Sequence, residues 1–275
     1  MLEEVKVLDF GYVKLIESWG SDERIIETAR MSTDKGFLGW DPEYVYECGH
    51  CHDSVTLREK LAEPAFCHNP RCNPPILIPT LKYNEKKSHP GDARLLKYLW
   101  DHKHSTPFEF AGMTIEIQAP IMVFREWHRH RTQAYSELSA RYTPMPDLNY
   151  VPSVDRCFMV NGKNKQAGKL AGAGELTHGK AIEWLEALAD VYEHAQRVYQ
   201  MGLNYGIPKE LARLPVPVGR YSRMRATANL RNWLGFLTLR LPDDAQFEIR
   251  QYSNIVCDLV AQQFSRTHGL FNADR

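Results

Sequence analysis

The chain has no apolar run near the ~18 residues that a membrane-spanning helix needs. It has no apolar stretch at its start either. Met1-Leu2-Glu3-Glu4-Val5-Lys6 begins acidic, so no secretory leader is expected. Net charge is also missing: 34 Lys and Arg balance 34 Asp and Glu in 275 residues. That excludes a protein that coats nucleic acid through bulk positive charge and leaves room only for local patches. No internal repeat occurs, which removes solenoids and propellers. Disorder, collagen and coiled coil are poor fits, because 43% of residues are hydrophobic and 25% charged. A chain of this length can bury a core of its own. The expected compartment is the reducing cytoplasm. Six cysteines there read as metal ligands, catalytic thiols or core fillers before disulfides.

What is present is mostly helical periodicity with a few strands between. Val5 to Phe10 reads as a strand, and Ser21-Asp22-Glu23 as the capped start of a helix that buries Ile25, Ile26 and Ala29. Gly91-Asp92 opens a helix with Leu95, Leu96, Leu99 and Trp100, running down to His102 and His104. Met113, Ile115 and Ile117 alternate with polar residues, the pattern of a half-buried strand. Pro120 then suits the first position of a helix through Phe124. Pro144 to Gly174 is irregular, and its Gly/Lys/Asn-rich tract, Asn161 to Gly174, reads as a mobile surface loop. Leu176 to Leu203 is the clearest helix, with Ile182, Leu185, Leu188, Tyr192, Ala195 and Tyr199 on its apolar stripe. Pro208 starts a short helix. Val216 to Arg225 reads as a strand, Asn229 to Arg240 as a helix, and a last helix begins near Pro242-Asp243-Asp244. The pattern predicts an α+β (mixed α/β) fold: one catalytic domain over 1–275 carrying an insert at 41–80.

That insert holds four of the cysteines. Cys48-x2-Cys51 and Cys67-x4-Cys72 lie fifteen residues apart in a Pro-rich stretch with little periodic apolar content. This is close to structural zinc spacing, and four thiolates could close a tetrahedral site where no core exists. Two disulfides or unligated thiols are the competing readings. Cys157 follows Arg156 in a loop with no nearby histidine, and Cys257 falls in the apolar pattern of the last helix as a core filler. Neither is a prepared nucleophile.

The segment Arg125-Glu126-Trp127-His128-Arg129-His130-Arg131 turns sharply basic after an apolar run. On a helix its cations would face three sides, which suits converging anionic groups or subunits better than a solvated face. Ser136, Ser139 and Arg141 downstream could hold phosphate oxygens, while Glu137 suits sugar hydroxyls. A buried ion-pair network is the bland alternative. Trp127 and Tyr142 read as core.

Arg129-His130-Arg131, seven residues, then Ser139 resembles the signature of the flavin-dependent thymidylate synthases, the ThyX family. His104-Ser105-Thr106-Pro107-Phe108-Glu109, Ala119-Pro120-Ile121, Ser139-Ala140-Arg141-Tyr142, Arg213, Asn229-Leu230-Arg231, Leu239-Arg240 and Ala29-Arg30-Met31-Ser32 resemble its other elements in order. The likeness spans roughly 5 to 40 and 83 to 268. It implies helices packed on a small, mainly antiparallel sheet, and dTMP made from dUMP with methylenetetrahydrofolate, NADPH and FAD. It places Ser32, Thr106, Arg129, His130, Arg131, Glu137, Asn229 and Arg231 at FAD. It places Glu126, Arg129, Glu137, Leu138, Ser139, Ala140, Arg141, Arg213 and Arg240 at dUMP. Arg240 and His104 would be catalytic, and the protein a homotetramer with shared active sites. Without the likeness, Arg213, Arg240 and His104 read equally as helix-end groups.

The chain departs from frequent family residues at Glu126 (often Gln), Ser136 (Asn), Gly235 (Asn) and Asp244 (His). These changes put flavin affinity and pose in doubt more than the reaction. Two other readings stay open. One is the same scaffold acting on a related pyrimidine nucleotide or making a hydroxymethyl product. The other is a non-catalytic, zinc-bearing relic that binds nucleic acid, against which the intact arginines argue.

Overall fold

The computed structural model describes residues 4–60, 67, 69, 72, 83–160 and 167–275. Along the chain the strands are β1 (Glu4–Val7), β2 (Gly11–Trp19), β3 (Glu43–Cys48), β4 (Ser54–Leu57), β5 (Tyr83–His89), β6 (Gly112–Pro120), β7 (Ala134–Glu137) and β8 (Tyr221–Asn229). The helices are α1 (Asp22–Arg30), α2 (Asp92–Asp101), α3 (Ile121–Trp127), α4 (Val154–Phe158), α5 (His178–Asn204), α6 (Lys209–Ala212), α7 (Leu230–Arg240), α8 (Phe247–Gln263) and α9 (Ser265–Ala273). The expected mix of helices and antiparallel strands is what the chain adopts. They fall into two compact units, Met1–Trp19 with Ala111–His268 and Gly20–Phe110 with Gly269–Arg275. The insert expected at 41–80 belongs to the second. Its prolines 64, 70, 74, 75 and 79 lie outside the described residues, as does part of the 161–174 tract.

The first unit is built on a five-stranded sheet in the order β1-β2-β6-β8-β7, antiparallel throughout. β6 is its spine because its alternation is strict: Met113, Ile115, Ile117 and Ala119 are fully buried on one face. β8 supplies Met224, Ala226 and Ala228 beside them. Gly112 is required where β6 enters, since a Cβ there would meet the Ala228 carbonyl and the Trp19 ring. Trp233 on α7 closes that end, its indole N–H donating to the Met113 carbonyl at 3.0 Å. Trp127, Phe236, Tyr252 and Phe264 fill the core between sheet and helices.

Several elements differ from expectation for local reasons. β2 was not legible because a register shift between Leu15 and Glu17 breaks its alternation. β8 begins at Tyr221 rather than Val216, because Pro217 cannot donate to a ladder and Arg220 N–H instead closes a turn on its carbonyl. Pro120 is the cap of α3 and the last residue of β6, one position before the one expected. α8 starts at Phe247, after a turn in which Ala245 N–H bonds Pro242 O. Cys157 lies on α4, not in a loop. On α5 Ala181, Ala195 and Tyr199 are buried, Leu185, Leu188 and Tyr192 of the predicted stripe are half-buried, and Ile182 is exposed.

The second unit packs α1 and α2 through Ile25, Ile26, Leu96 and Leu99. Ser21 caps α1 as expected, its hydroxyl accepting from Arg24 N–H at 3.2 Å. Asp92 is fully buried because Arg30 pairs with it and Leu38 N–H donates to it at 2.7 Å. α2 stops at Asp101 instead of reaching His104. Lys103 takes a left-handed conformation and His104 N–H bonds back to Leu99 O. The Cys-rich segment contains a three-stranded antiparallel sheet, β4-β3-β5.

Candidate active site

α3 ends at Trp127, so the basic residues after it are not helical as the sequence reading supposed. Side chains capture the backbone instead. The Tyr135 hydroxyl donates its one proton to His130 O at 2.6 Å, with Trp127 O beside it at 3.1 Å. Asn232 Nδ2 donates to Thr132 O at 3.1 Å, and Trp127 Nε1 to Gln133 Oε1 at 3.0 Å. A hydrogen-bonded turn therefore presents Arg129, His130 and Arg131.

Arg240, the last residue of α7, reaches across to this turn. Its Nη1 donates to Glu126 Oε2 at 2.8 Å, its Nη2 to Glu126 O at 3.1 Å, and its Nε to His130 Nε2 at 2.9 Å. A guanidinium has no lone pair to offer, so Nε2 accepts and the imidazole is neutral with its proton on Nδ1. Burial and the nearby Arg240 charge hold the His130 pKa down to about 4. The unfolded chain would carry its proton up to about pH 6.5. It therefore binds more protons than the folded chain between about pH 4 and 6.5, and stability rises with pH across that window. The expected imidazole NMR midpoint for His130 is near 4, moving upward in Arg240→Ala. A wild-type midpoint near 6.5 would contradict the Arg240 contact.

Glu126 also lines a cavity of about 1040 Å³, walled by Tyr150, Trp184, Tyr192 and Phe247. The departure residue Asp244 lines it too, whereas Gly235 is exposed on α7, where an added Cβ would meet nothing among the described residues. Near it, Glu248 is 2% exposed and accepts from Arg156 Nε at 2.7 Å and from the Tyr150 hydroxyl at 3.0 Å. This pair, 92 residues apart, had no sequence signal.

A second group gathers elsewhere in the same unit. Ala140 and Ala212 share a small core cluster with Met145 and Tyr199, so the Ser139–Arg141 turn and Arg213 at the α6 C-cap are held together. Ser139 Oγ accepts from Arg141 N–H at 3.3 Å. Leu138 N–H is fixed to Arg223 O at 2.8 Å, and Glu137, the end of β7, is exposed. Among the described residues no hydrogen bond or ion pair joins this group to the Arg240 cluster.

Asn229 accepts from Asn232 N–H at 3.0 Å as the cap of α7, with Arg231 exposed in the first turn. In the second unit Ser32 and Thr106 are exposed, and His104 stacks on Tyr98 at 5.8 Å. Tyr142, read as core, is 75% exposed with Arg141 over its ring. Cys257 is only half-buried, its Sγ 3.3 Å from His268 Nε2, a pairing the sequence reading missed. The four insert cysteines do come together, their sulfurs all within 4.8 Å of one another.

The donor chemistry fits a dinucleotide-type cofactor and a phosphorylated substrate. Arg129, Arg131 and Arg213 are exposed and have no carboxylate partner among the described residues, whereas Arg156, Arg220, Arg225 and Arg240 each have one. Gln133 adds a buried Nε2 in the same turn, without a partner among the described residues. Exposed guanidinium groups next to a fixed Arg–His–Glu cluster suit polyanionic ligands.

The comparisons narrow this class. The family model described as "Thymidylate synthase complementing protein" matches residues 14–264. The flavin-dependent thymidylate synthase of Thermosipho melanesiensis is 31% identical over 251 residues, 91% of this chain and 85% of that protein. The enzyme of the same name from Thermosipho africanus is 29% identical, covering 98% and 93%. A crystal structure of the UMP/dUMP methylase PolB from Streptomyces cacaoi bound with 5-Br UMP superposes with a TM-score of 0.68 at 26% identity, over 98% of this chain and 96% of that one. The same methylase bound with 5-Br dUMP gives 0.67 at 28% identity, over 98% and 97%. The chain belongs to the flavin-dependent thymidylate synthase family, and the resemblance carried by Arg129 to Arg141 holds.

Proposed function

We propose that this enzyme converts dUMP to dTMP, with methylenetetrahydrofolate as carbon donor, NADPH as reductant and FAD as the flavin. The reading rests on the family match together with the Arg129–Arg131 turn, whose outer guanidinium groups have no carboxylate partner among the described residues. One carbon joins C5 of the pyrimidine and the C5 proton leaves. NADPH and one proton supply the two hydrogens that complete the balance. When bound, the flavin supplies hydride chemistry, and the protein's task is to bind and polarise.

Arg129, His130, Arg131, Glu137, Asn229 and Arg231 would hold FAD, with Ser32 and Thr106. Glu126, Arg129, Leu138, Ser139, Ala140, Arg141 and Arg213 would hold dUMP. Backbone N–H groups and guanidinium forks suit the phosphate. Arg240 would face the uracil and stabilise negative charge that develops on the ring. Neutral His130 keeps Arg240 oriented without adding a competing cation. His104 would serve at the flavin and folate.

One observation favours a homotetramer with shared sites: apolar residues such as Trp184, Val191 and Leu239 are exposed. No helix among the described residues is long and apolar enough to cross a bilayer. A cytoplasmic home completes the proposal.

Likeness to a UMP/dUMP methylase favours a second reading, in which UMP is also a substrate. The deciding experiment is tritium release from C5-labelled dUMP and UMP, with and without FAD, followed by product mass. FAD-dependent release from dUMP with a methyl product is expected. Absence of release from flavin-loaded protein with either nucleotide would refute the function, and a hydroxymethyl product would replace it.

A further inference from the structure

Nothing in the nucleotide chemistry uses Cys48, Cys51, Cys67 and Cys72. Cys48 ends β3, and Cys51 follows in the tight turn before β4. That turn is closed by His52 N–H on Cys48 O at 3.1 Å and by Cys48 N–H on Asp53 O at 2.9 Å. Across from it, Cys72 N–H closes a second turn on Asn69 O at 2.8 Å. Both turns aim an amide at a sulfur: His50 N–H at Cys48 Sγ, 3.5 Å, and Asn69 N–H at Cys67 Sγ, 3.4 Å. Amides pointed at sulfur are placed to stabilise thiolates.

The sulfur spacing is informative. Cys48 and Cys72 are 3.7 Å apart, and Cys51 and Cys67 3.6 Å. A disulfide would need about 2.05 Å. A tetrahedron of zinc–sulfur bonds of about 2.3 Å has edges of about 3.8 Å. Three of the four cysteines are buried, yet among the described residues their cluster contains only one another and the half-buried Cys51. Apolar burial among the described residues therefore gives no reason for four thiols to converge here. A bound cation does.

We propose that this segment binds one zinc ion through the four thiolates, as a closed structural site. All four positions are taken by protein sulfur, so no open position remains for water or substrate. Four thiolates on a divalent ion leave two negative charges in excess. His50 answers part of that excess: its Nδ1 lies 3.5 Å from Cys72 Sγ, in position to donate. The ion pins the β3–β4 hairpin to the Cys67–Cys72 turn. The site stands independently of the nucleotide reading, since it shares none of its residues.

The test uses the full chain purified under reducing conditions without added metal. Elemental analysis should find one zinc per chain. Cobalt exchange should give the intense sulfur-to-cobalt charge-transfer band and the d–d bands of tetrahedral coordination. Cys51→Ser with Cys67→Ser should lose the metal. Because that variant can fail to fold, His50→Ala provides a milder check. It should keep its zinc at rest but yield it to a competing chelator at roughly 10–100-fold lower chelator activity. Iron in the site, four freely titratable thiols in the native protein, or disulfides joining Cys48 to Cys72 and Cys51 to Cys67 would each overturn the proposal. So would a cobalt spectrum without sulfur charge transfer.

Discussion

Arg240→Ala is expected to keep flavin absorbance while turnover falls by about 10²–10³-fold, a loss of about 3–4 kcal/mol in transition-state stabilisation. The arginine sits at the end of α7 with three donors already committed, two to Glu126 and one to His130. Those contacts fix the plane and position of the charge before any substrate arrives, which is what makes a cation effective against developing negative charge. Lysine at this position keeps the charge but not the fork, so Arg240→Lys should recover little. Glu126→Gln separates the two roles of the carboxylate. It preserves the geometry and leaves Arg240 with uncompensated charge, so the pyrimidine should bind more tightly. Single-turnover rates with flavin occupancy measured spectroscopically would check all three. Near-normal turnover in Arg240→Ala would remove the residue from the chemistry.

The second large effect is on stability. Glu248→Ala should cost about 3–5 kcal/mol, because it strands the Arg156 cation and the Tyr150 hydroxyl in a mostly buried place. A Tm decrease on the order of 10 °C is expected. Replacing both partners, Glu248→Leu with Arg156→Met, should recover most of the loss, since an apolar pair leaves no orphaned charge. Burial alone would raise the Glu248 pKa, but hydrogen bonds from Arg156 and Tyr150 and the Arg156 charge outweigh it and hold it below the ordinary glutamate value. Its contribution is therefore present above about pH 4.3 and lost as pH falls through the folded value. Thermal melts of the single and double variants from pH 7 to 3 would test this. Equal melting temperatures for wild type and Glu248→Ala at pH 7 would refute it.

Elements with an unbroken local period were legible in the sequence. β6 was visible because its alternation is strict, and α7 because Asn229 caps it and Arg240 ends it. α5 was visible as a helix, but not the exposure of Ile182, since periodicity marks an apolar stripe without saying what covers it. Elements set by distant partners were not legible. β7 has four residues and exists through pairing with β8, and the turn at 128–133 depends on Tyr135 and Asn232. The candidate site was legible in its arginines and serines. Its electrostatics were not: the Glu126–Arg240 pair joins residues 114 apart, and the neutrality of His130 follows from burial beside Arg240.

The register of the main sheet has a consequence for assembly. Trp19 at the end of β2 is paired with Gly112 at the start of β6, and residues 20–111 leave and return between them. Paired positions lie about 4.5–5.5 Å apart. If the intervening segment is unfolded, closing this central pairing means closing a very long loop, and each doubling of loop length adds about 0.6 kcal/mol of entropic cost. If that segment is already folded with its ends adjacent, the same pairing behaves like a short hairpin. The order in which the chain acquires structure is therefore biased by its topology. The pace at which the catalytic sheet forms depends on a part of the chain that contributes no strand to it.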